Sequence, residues 1–199
     1  MVTAQDVQAV PPGGEISAPP GAIVTPWARE VAASRGVRIV TRAGPAAEGA
    51  PVVAVGADHG GFPLKEEVKK HLTRLGYRFH DFGTFSTEPV DYPDLALAVA
   101  RAVKAGDARF GILVDGAGIG SAMAANKVPG VRAAACADAG AARNAREHND
   151  ANVLTLGAKS VEPGRMPEIV ETFLTAACTE ERHARRVEKI KAIEESYLK

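Results

Sequence analysis

Residues 111–127 constrain the fold of this chain more than any other stretch, because an apolar run, a glycine-rich loop and a helix-forming segment follow one another without a break. The apolar run is typical of a buried parallel strand and ends at a carboxylate, Asp115. Gly116, Gly118 and Gly120 follow at alternate positions. Glycines let backbone N–H groups approach an anion, and the helix N-terminus adds positive partial charge. The pattern predicts an anion-binding loop with Asp115 beside it as an acid or base.

A dinucleotide-binding loop is a competing interpretation of the same glycines. That fingerprint favours the first strand of a domain and an acidic residue about 20 residues further on. Here the loop follows the third predicted strand of its domain, and the acidic residue at that distance is Asp138. Many tight turns between strand and helix also carry glycines without a ligand, so the loop alone leaves its role open.

Most of the chain, residues 51–199, alternates predicted strands and helices. The predicted strands span residues 52–57, 77–82, 109–115, 131–136 and 152–156. The predicted helices span residues 62–75, 92–105, 119–127, 139–148, 164–178 and 181–196. Such alternation indicates a three-layer, Rossmann-like α/β domain, in which helices cover both faces of a five-stranded parallel sheet. Ligands of such domains bind at the carboxyl ends of the strands.

Residues 1–50 are predicted to form an N-terminal extension of this domain. Residues 1–22 are rich in proline and glycine, and we expect them to be a disordered tail. Residues 43–51 have the composition of a linker. A short strand is predicted at residues 37–40 between these two segments.

A short helix is also predicted inside the extension. Thr25 is a favourable N-cap, Pro26 suits the first helical position, and Gly36 suits the end of the helix. We expect an apolar stripe on this helix that includes Trp27, Ala28 and Val31.

The composition excludes some classes of partner. The formal net charge at pH 7 is zero, whereas a nucleic-acid-binding surface needs clustered excess lysine and arginine. No apolar stretch reaches the ~18 residues of a membrane helix, and no signal peptide is recognisable. Cys136 and Cys178 lack the spacing of metal ligands and are predicted to be small core residues. We expect a cytoplasmic protein with neither nucleic acid nor a membrane as partner.

Polar side chains stand near the ends of several predicted strands. Asp58 and His59 follow the first strand, Asp115 ends the third, and Asp138 follows the fourth. Each has a simple structural alternative, for example Asp58 as the cap of the next helix. Because groups that meet in a cleft are what a site requires, we expect them to gather at one edge of the sheet.

Two further segments are expected at the same edge. Tyr92 begins the helix after the second strand, and His148 closes the helix before the fifth strand. Both residues also have a purely structural alternative. Tyr92 would be a packed aromatic residue, and His148 would hydrogen-bond the C-terminus of its helix.

Five segments of the chain occur together in one known family. They are GADHGGFPLK at 56–65, VDYPD at 90–94, GAGIGSAMAANKVPGVRAA at 116–134, EHNDANVL at 147–154 and RHARRV at 182–187. In this order they closely resemble the ribose-5-phosphate isomerase B family, which also includes the galactose-6-phosphate isomerase subunits. The resemblance runs from about residue 52 to the C-terminus and leaves the first 50 residues outside it.

The resemblance implies the isomerisation of a phosphorylated aldose to a ketose without a metal or a nucleotide cofactor. The cyclic sugar must open, which needs a proton donor and a proton acceptor. A base then removes the C2 proton, a cis-enediolate forms, and the proton returns at C1. The glycine loop would supply N–H donors for the negative charge of the enediolate.

The resemblance also implies roles for single residues. Asp58 would move protons among the sugar hydroxyls, and His148 would open the ring. The residues implied to bind the substrate are His59, Tyr92, Gly116, Ala117, Gly118, Ile119, Gly120, Ser121, Asn149, Arg182 and Arg186.

Arg182 and Arg186 match the phosphate clamp of the family. They are four positions apart, so a helix presents both on one face, and guanidinium groups bind phosphate in a bidentate manner. Without the resemblance, we would interpret the two arginines as part of a solvated helix face. In the family the clamp can come from a neighbouring subunit, which implies a homodimer or a tetramer.

Three positions depart from the family pattern. Asp115 stands where many members carry a cysteine base, and Ala117 stands where those members carry a threonine that assists ring opening. Other members carry a glutamate base at the position of Ser121. Neither familiar base is therefore present.

Two hypotheses follow from these departures. In the first, Asp115 is the base; its reference pKa of about 3.9, against about 8.5 for cysteine, makes it ionised but weaker at neutral pH. In the second, the chain is a catalytically inactive module that binds a sugar phosphate or regulates another protein. The combination of Asp58 and His148 favours the first hypothesis.

The predicted N-terminal helix is similar to short terminal helices that recruit enzymes into bacterial microcompartments, and to small peripheral-subunit-binding helices. A docking partner such as a microcompartment shell, and a location inside that shell, are therefore expectations for this segment. The alternative is that the helix packs on its own domain through Trp27.

Overall fold

The computed structural model describes residues 3–18, 24–41 and 51–198. The chain divides into two compact units. The first comprises Met1–Ala50 with His71–Arg78, and the second comprises Pro51–Lys70 with Phe79–Lys199.

The N-terminal residues that the structure describes are folded, which corrects the expectation of a disordered tail over residues 1–22. Helix α1 (Ala4–Gln8) starts with a capping box, in which Thr3 and Asp6 accept hydrogen bonds from each other's backbone N–H groups. Val7 of this helix is completely buried. The capping box and the buried valine offset part of the entropy lost on ordering the segment, and a count of proline and glycine does not reveal them.

A parallel strand pair belongs to the same unit. The elements after α1 are strand β1 (Glu15–Ala18), helix α2 (Pro26–Arg35) and strand β2 (Arg38–Thr41). The two strands pair in parallel. The predicted linker at 43–51 lies, except for its last residue, outside the described residues.

Helix α2 has the two caps that were predicted. The N–H of Ala28 donates to the Thr25 hydroxyl at 3.1 Å, and Gly36 ends the helix with a left-handed φ of 63°. Ala28 and Ala32 are the buried residues of α2, whereas Trp27 is 62% exposed. The predicted stripe through Trp27 is therefore wrong, because the smaller alanines form the buried face.

The remaining elements alternate as the sequence predicts. They are β3 (Val52–Ala57), α3 (Phe62–Leu75), β4 (Arg78–Asp81), α4 (Tyr92–Ala105), β5 (Phe110–Asp115), α5 (Ile119–Ala125), β6 (Ala133–Ala135), α6 (Ala139–Asn149), β7 (Val153–Gly157), α7 (Met166–Thr175) and α8 (Glu181–Tyr197). The larger sheet among the described residues has five strands in the order β4-β3-β5-β7-β6. The pairs β3–β5, β5–β7 and β6–β7 are parallel, and the predicted α/β fold with a five-stranded parallel sheet is confirmed.

The central strands are buried along their whole length. Every residue of β5 and β7 is buried. Gly56 and Gly111 let Val99 of α4 approach the sheet, since an added Cβ would lie 2.9 and 2.8 Å from methyl carbons of that valine. This close packing holds α4 against β3 and β5, whose carboxyl ends carry the predicted site.

A buried ion pair ties α3 to the end of β4. Lys65 is completely buried, and its Nζ lies 2.7 Å from both carboxylate oxygens of Asp81. Lys69 adds a contact of 2.6 Å to the same carboxylate, and the N–H of Gly83 adds one of 2.9 Å. Burial acts to raise the pKa of Asp81, but the hydrogen bonds from Lys65, Lys69 and Gly83 outweigh it and hold the pKa below its ordinary value.

We predict that Asp81→Asn lowers the free energy of unfolding at pH 7 by about 3–5 kcal/mol, because it removes the buried counter-ion of Lys65 and leaves this ammonium only the more exposed carboxylate of Glu66, at 3.2 Å. Since the pKa of Asp81 is lower in the folded than in the unfolded chain, its stabilisation is present above the unfolded pKa and is lost as the pH falls through the folded one. The measurement is urea unfolding of both proteins from pH 7 down to pH 3, where the difference between them should shrink.

Glu66→Gln is the matched control, since this carboxylate contacts the same two lysines, at 3.2 Å from Lys65 and 2.8 Å from Lys69, but its side chain is 34% exposed. We expect it to cost less than about 1 kcal/mol. Equal costs for the two variants would contradict the assigned role of the buried pair.

Candidate active site

The carboxylate of Asp115 organises the glycine loop after β5. Asp115 is 4% exposed, and its Oδ1 accepts hydrogen bonds from the N–H groups of Ala117, at 2.8 Å, and Gly118. Its Oδ2 accepts the N–H of Ser121 at 2.9 Å, and the Ser121 hydroxyl also bonds to the carboxylate. These four bonds match the roughly four acceptor positions of an ionised carboxylate.

The same hydrogen bonds decide the charge of Asp115. Burial acts to raise its pKa, but the bonds from the Ser121 hydroxyl and from the N–H groups of Ser121, Gly118 and Ala117 outweigh burial and lower the pKa below its ordinary value. Asp115 is therefore an anion at neutral pH. The sequence pattern predicts that these N–H groups face a bound anion, whereas in the structure three of them point towards the chain's own carboxylate.

Close backbone contacts hold the loop in place. Gly118 has a left-handed φ of 76°, and its carbonyl accepts the hydroxyl of the buried Thr155 at 2.5 Å. At Gly157, the last residue of β7, an added Cβ would lie 2.6 Å from the carbonyl group of Ala117. Side chains larger than hydrogen are excluded at these two glycines, so the path of the loop is determined by its contact with β7.

The Tyr92 ring lies against the loop. An added Cβ at Gly120 would be 2.6 Å from Cζ of Tyr92. Tyr92 begins α4 and is 39% exposed, so its ring borders both the loop and solvent. The structure therefore brings Tyr92 and the loop together, as predicted.

The loop after β3 lies beside the end of β5. Asp58 accepts the N–H of Gly61 at 2.7 Å, and its own N–H donates to the carbonyl of Val114 at 3.2 Å. The ring of His59 is within 3.3 Å of the backbone of Val90, two residues before Tyr92. Asp58, His59, Tyr92, Asp115 and residues 116–121 thus form one group at the carboxyl ends of β3 and β5, which we call the loop cluster.

The other predicted residues form a second group. His148, near the C-terminus of α6, stacks on His183 of α8 with ring centroids 4.0 Å apart and an interplanar angle of 17°. Arg186 Nη1 lies 3.5 Å from His183 Nδ1, and Arg182 Nε lies 2.7 Å from a carboxylate oxygen of Glu180. We call His148, His183, Arg182 and Arg186 the histidine cluster.

The histidine cluster lies at the opposite edge of the sheet from the loop cluster. Helix α6 starts after the carboxyl end of β6 and returns to the amino end of β7. The side chain of Arg132, directly before β6, donates to the carbonyls of Asn149 and Asp150 at 3.1 and 3.0 Å.

The expectation that all site residues gather at one edge is therefore wrong for His148 and Asn149. In a parallel sheet each connecting helix runs antiparallel to the strands, so a helix C-terminus lies at the edge where strands begin. Asp138 does follow a strand, and it caps α6 through the N–H of Ala141 at 2.8 Å.

Arg146 fixes the end of α6 that carries His148. Its buried guanidinium donates to the carbonyl of Ala151 at 2.7 Å and to the carboxylate of Asp150 at 2.8 Å. It also lies over the rings of Phe110 and Phe173, at 5.0 and 5.7 Å from their centroids. The sequence analysis did not single out this arginine.

His183 is a site residue that the sequence analysis missed. It is 5% exposed, and burial together with His148, Arg182 and Arg186 lowers its pKa against the opposing effect of Glu180. A signal was present, because His183 and Val187 are one helical turn apart and are the buried residues of α8.

An apolar groove of about 910 Å³ lies beside the histidine cluster, between β6, α6 and the last turns of α8. Asn144 and Asn149 line its wall near His148. The large apolar side chains at its rim are Ile190, Ile193, Tyr197 and Leu198, all of them exposed.

Cys136 also lines the groove. Burial, with the nearby Asp138, raises the pKa of its thiol to about 11. The thiol is therefore protonated at neutral pH and is not a nucleophile.

The described part of the chain offers no cluster of three or more histidine, cysteine, aspartate or glutamate side chains arranged to hold a metal ion. Among the described helices, none is long and apolar enough to span a membrane.

Comparison with known proteins shows what this chain is similar to. The sequence profile described as Ribose/Galactose Isomerase matches residues 53–190. Ribose-5-phosphate isomerase B of Escherichia coli is 44% identical over 143 residues, which cover 72% of this chain and 96% of that protein.

Solved structures agree with the sequence comparison. The structure of Clostridium thermocellum ribose-5-phosphate isomerase B superposes with a TM-score of 0.72 at 49% identity, covering 73% of this chain and 99% of the other. That of Mycoplasma genitalium ribose-5-phosphate isomerase B with bound ribulose 5-phosphate superposes with a TM-score of 0.69 at 39% identity, covering 72% and 96%.

Proposed function

This chain belongs to the Ribose/Galactose Isomerase family, and we propose that it isomerises a small phosphorylated aldose and ketose, such as ribose 5-phosphate and ribulose 5-phosphate. Residues 51–199 form the isomerase domain in this proposal, and residues 1–50 are an extension. The observation that carries it is the gathering of Asp58, Tyr92 and the glycine loop at the ends of neighbouring parallel strands, where ligands of such sheets bind.

The proposed reaction moves protons and needs no cofactor. His148 and Asp58 open the sugar ring, a base takes the proton from C2, and the enediolate regains a proton at C1. Asp115 is the base in this proposal, in place of the usual cysteine. The lowered pKa of Asp115 keeps the carboxylate ionised at neutral pH, but it also makes this carboxylate a weaker base than an aspartate with an ordinary pKa.

The hydrogen bonds of Asp115 set a condition on this role. All acceptor positions of the carboxylate are engaged with the loop, so an oxygen becomes free for the C2 proton only when a bond to Ser121 is released. We propose that substrate binding displaces the Ser121 hydroxyl, which leaves the N–H groups of Ala117 and Gly118 to hold the other oxygen.

Two copies of the chain are needed for a complete site in this proposal. The loop cluster and the histidine cluster lie at opposite edges of one sheet, so a substrate that meets both must lie between two protomers. Exposed apolar residues flank each cluster: Ile119 and Met123 of α5 beside the loop cluster, and the rim of the groove beside the histidine cluster. In a two-fold dimer, both apolar surfaces of each protomer are covered by the other protomer. A tetramer would be a pair of such dimers.

The two-copy site predicts complementation between inactive variants. Asp58→Asn and His148→Asn should each be inactive alone. Mixed under conditions of subunit exchange, they should recover about a quarter of wild-type kcat, since half the dimers are mixed and each mixed dimer holds one intact site. The measurement is isomerase activity against mixing ratio, with each variant mixed with itself as control. Failure to regain activity despite proven exchange would contradict a shared site.

The role of Asp115 predicts that Asp115→Asn lowers kcat by at least about 100-fold, because the proton acceptor is lost; KM should rise as well, since the amide nitrogen cannot accept the loop's hydrogen bonds to the oxygen that it replaces. The assay is proton NMR in heavy water with four-, five- and six-carbon aldose phosphates, because isomerisation carries deuterium into the sugar. Asp138→Asn is the matched control, since Asp138 also follows a strand and caps a helix.

Two results would count against these assignments. Near-wild-type turnover in Asp115→Asn would reject Asp115 as the base. Binding of the sugar phosphates by the wild-type protein without any exchange would reject the isomerase in favour of the alternative, a catalytically inactive sugar-phosphate-binding or regulatory module.

We also propose that the N-terminal helix α2 is a docking segment. In this proposal the protein is cytoplasmic, and α2 recruits it into a bacterial microcompartment. The exposed indole of Trp27 supports this role. Trp27→Ala should leave kcat and the thermal unfolding midpoint unchanged but abolish co-purification with microcompartment shells. The control is Arg29→Ala, an exposed change on the same helix. Unchanged co-purification of the Trp27 variant would contradict the proposal.

A further inference from the structure

We propose that His183 is a positioning residue for His148, whose ring it holds by stacking so that the Nε2–H of His148 faces the substrate. This proposal rests on the isomerase function proposed above. His183 itself is buried and makes its contact with the reaction only through the stacked ring of His148.

Two contacts hold the imidazole of His148. The side-chain amide of Asn144 is 2.9 Å from Nδ1 of His148, on the same face of α6. With the amide nitrogen donating, Nδ1 accepts and the ring proton lies on Nε2. The stack on His183 sets the plane of the ring, and the hydrogen bond sets its rotation within that plane.

The surroundings of the pair oppose a second positive charge. Arg186 lies 3.5 Å from His183 Nδ1, while the carboxylate of Glu180 is 3.9 Å from its Nε2 and is already bound to Arg182. Glu147 of α6 pairs with Arg143 at 3.3 Å. Two stacked imidazolium rings beside these arginines would repel each other, and the lowered pKa of His183 agrees with a neutral ring.

The ring of His183 has few hydrogen bonds to hold it, because its Nδ1 has only the long 3.5 Å contact with Arg186. Its Nε2 is buried without a hydrogen-bond partner, which costs stability. The ring borders a small polar pocket of about 210 Å³ that Glu147, His148, Thr179 and Glu180 also line. A flat ring that stacks, rather than a polar group that bonds, is therefore the property that this position uses.

The consequence for the reaction is a prepared hydrogen-bond donor. In ring opening the anomeric hydroxyl loses a proton and the ring oxygen gains one; this proton passes through the carboxylate of Asp58 in the proposal, while a neutral Nε2–H directed at the ring oxygen stabilises the negative charge that develops there. A His148 free to rotate would spend much of its time in the wrong orientation or tautomer. The fixed ring lowers this orientational cost before the substrate arrives.

The test compares His183→Ala, which removes the ring, with His183→Phe, which keeps a flat ring of similar size. We expect His183→Ala to lower kcat about tenfold with KM within about twofold, as a loss of orientation predicts. In the free protein, ¹⁵N NMR should find His148 in the Nε2–H tautomer, and His183→Ala should convert it to a mixture of tautomers. His183→Phe should restore both kcat and the single tautomer.

Val187→Ala is the matched control, because Val187 is the other buried residue of α8 and lies one turn away. It should lower the unfolding midpoint but leave kcat and the tautomer of His148 unchanged. The proposal is overturned if His183→Phe shows the same low kcat and mixed tautomers as His183→Ala. It is also overturned if His183→Ala keeps a single tautomer of His148. The NMR arm needs no turnover, so it separates this outcome from failure of the proposed isomerase activity.

Discussion

The buried carboxylate of Asp115 is the centre on which the candidate site is built. It stands at the end of a fully buried central strand, and its oxygens accept hydrogen bonds from three N–H groups of the following loop. Unpaired N–H groups in a buried loop are costly, so a carboxylate at this position stabilises the one loop path that serves all of them. Gly118 and Gly157 then allow that path to pass within contact distance of β7.

The direction of the chain through the sheet imposes the second constraint. Strand ends carry Asp58 and Asp115, whereas His148 comes from the end of a helix that returns to the start of β7. Because β6 and β7 are parallel, the helix between them must return to the amino end of β7, which leaves no other place for that helix end. The acid–base residues implied by the family resemblance are consequently distributed over two edges, and the exposed apolar side chains beside each edge suit contact between two copies.

The two clusters favour different protonation states of their titratable side chains. At the loop cluster, hydrogen bonds favour the anionic form of Asp115. At the histidine cluster, burial, the ring of His148 and two arginines disfavour the cationic form of His183. A site that combined these edges would join an ionised carboxylate, which can accept a proton, to the N–H of the His148 imidazole, which can donate a hydrogen bond.

The amino-acid sequence by itself determined the elements and their type. The predicted bounds of β3, α3 and α4 match the structure, and the caps of α2 at Thr25 and Gly36 were readable because a cap depends on residues only a few positions apart. The loop cluster was also predictable, since strand ends in a parallel sheet share one edge. The folded residues 3–18 were not, because their order depends on the burial of Val7, which no local pattern reports.

Only the tertiary structure decided where His148 lies, what faces it and how the loop uses its N–H groups. The stack of His148 on His183 joins residues 35 positions apart on two helices. The contact of Gly157 with Ala117 joins the end of β7 to the loop after β5. Such contacts follow from how helices pack and in which direction they run. Local periodicity and spacing carry information about one element at a time, and the meeting of two elements is set by the free energy of the whole packed core.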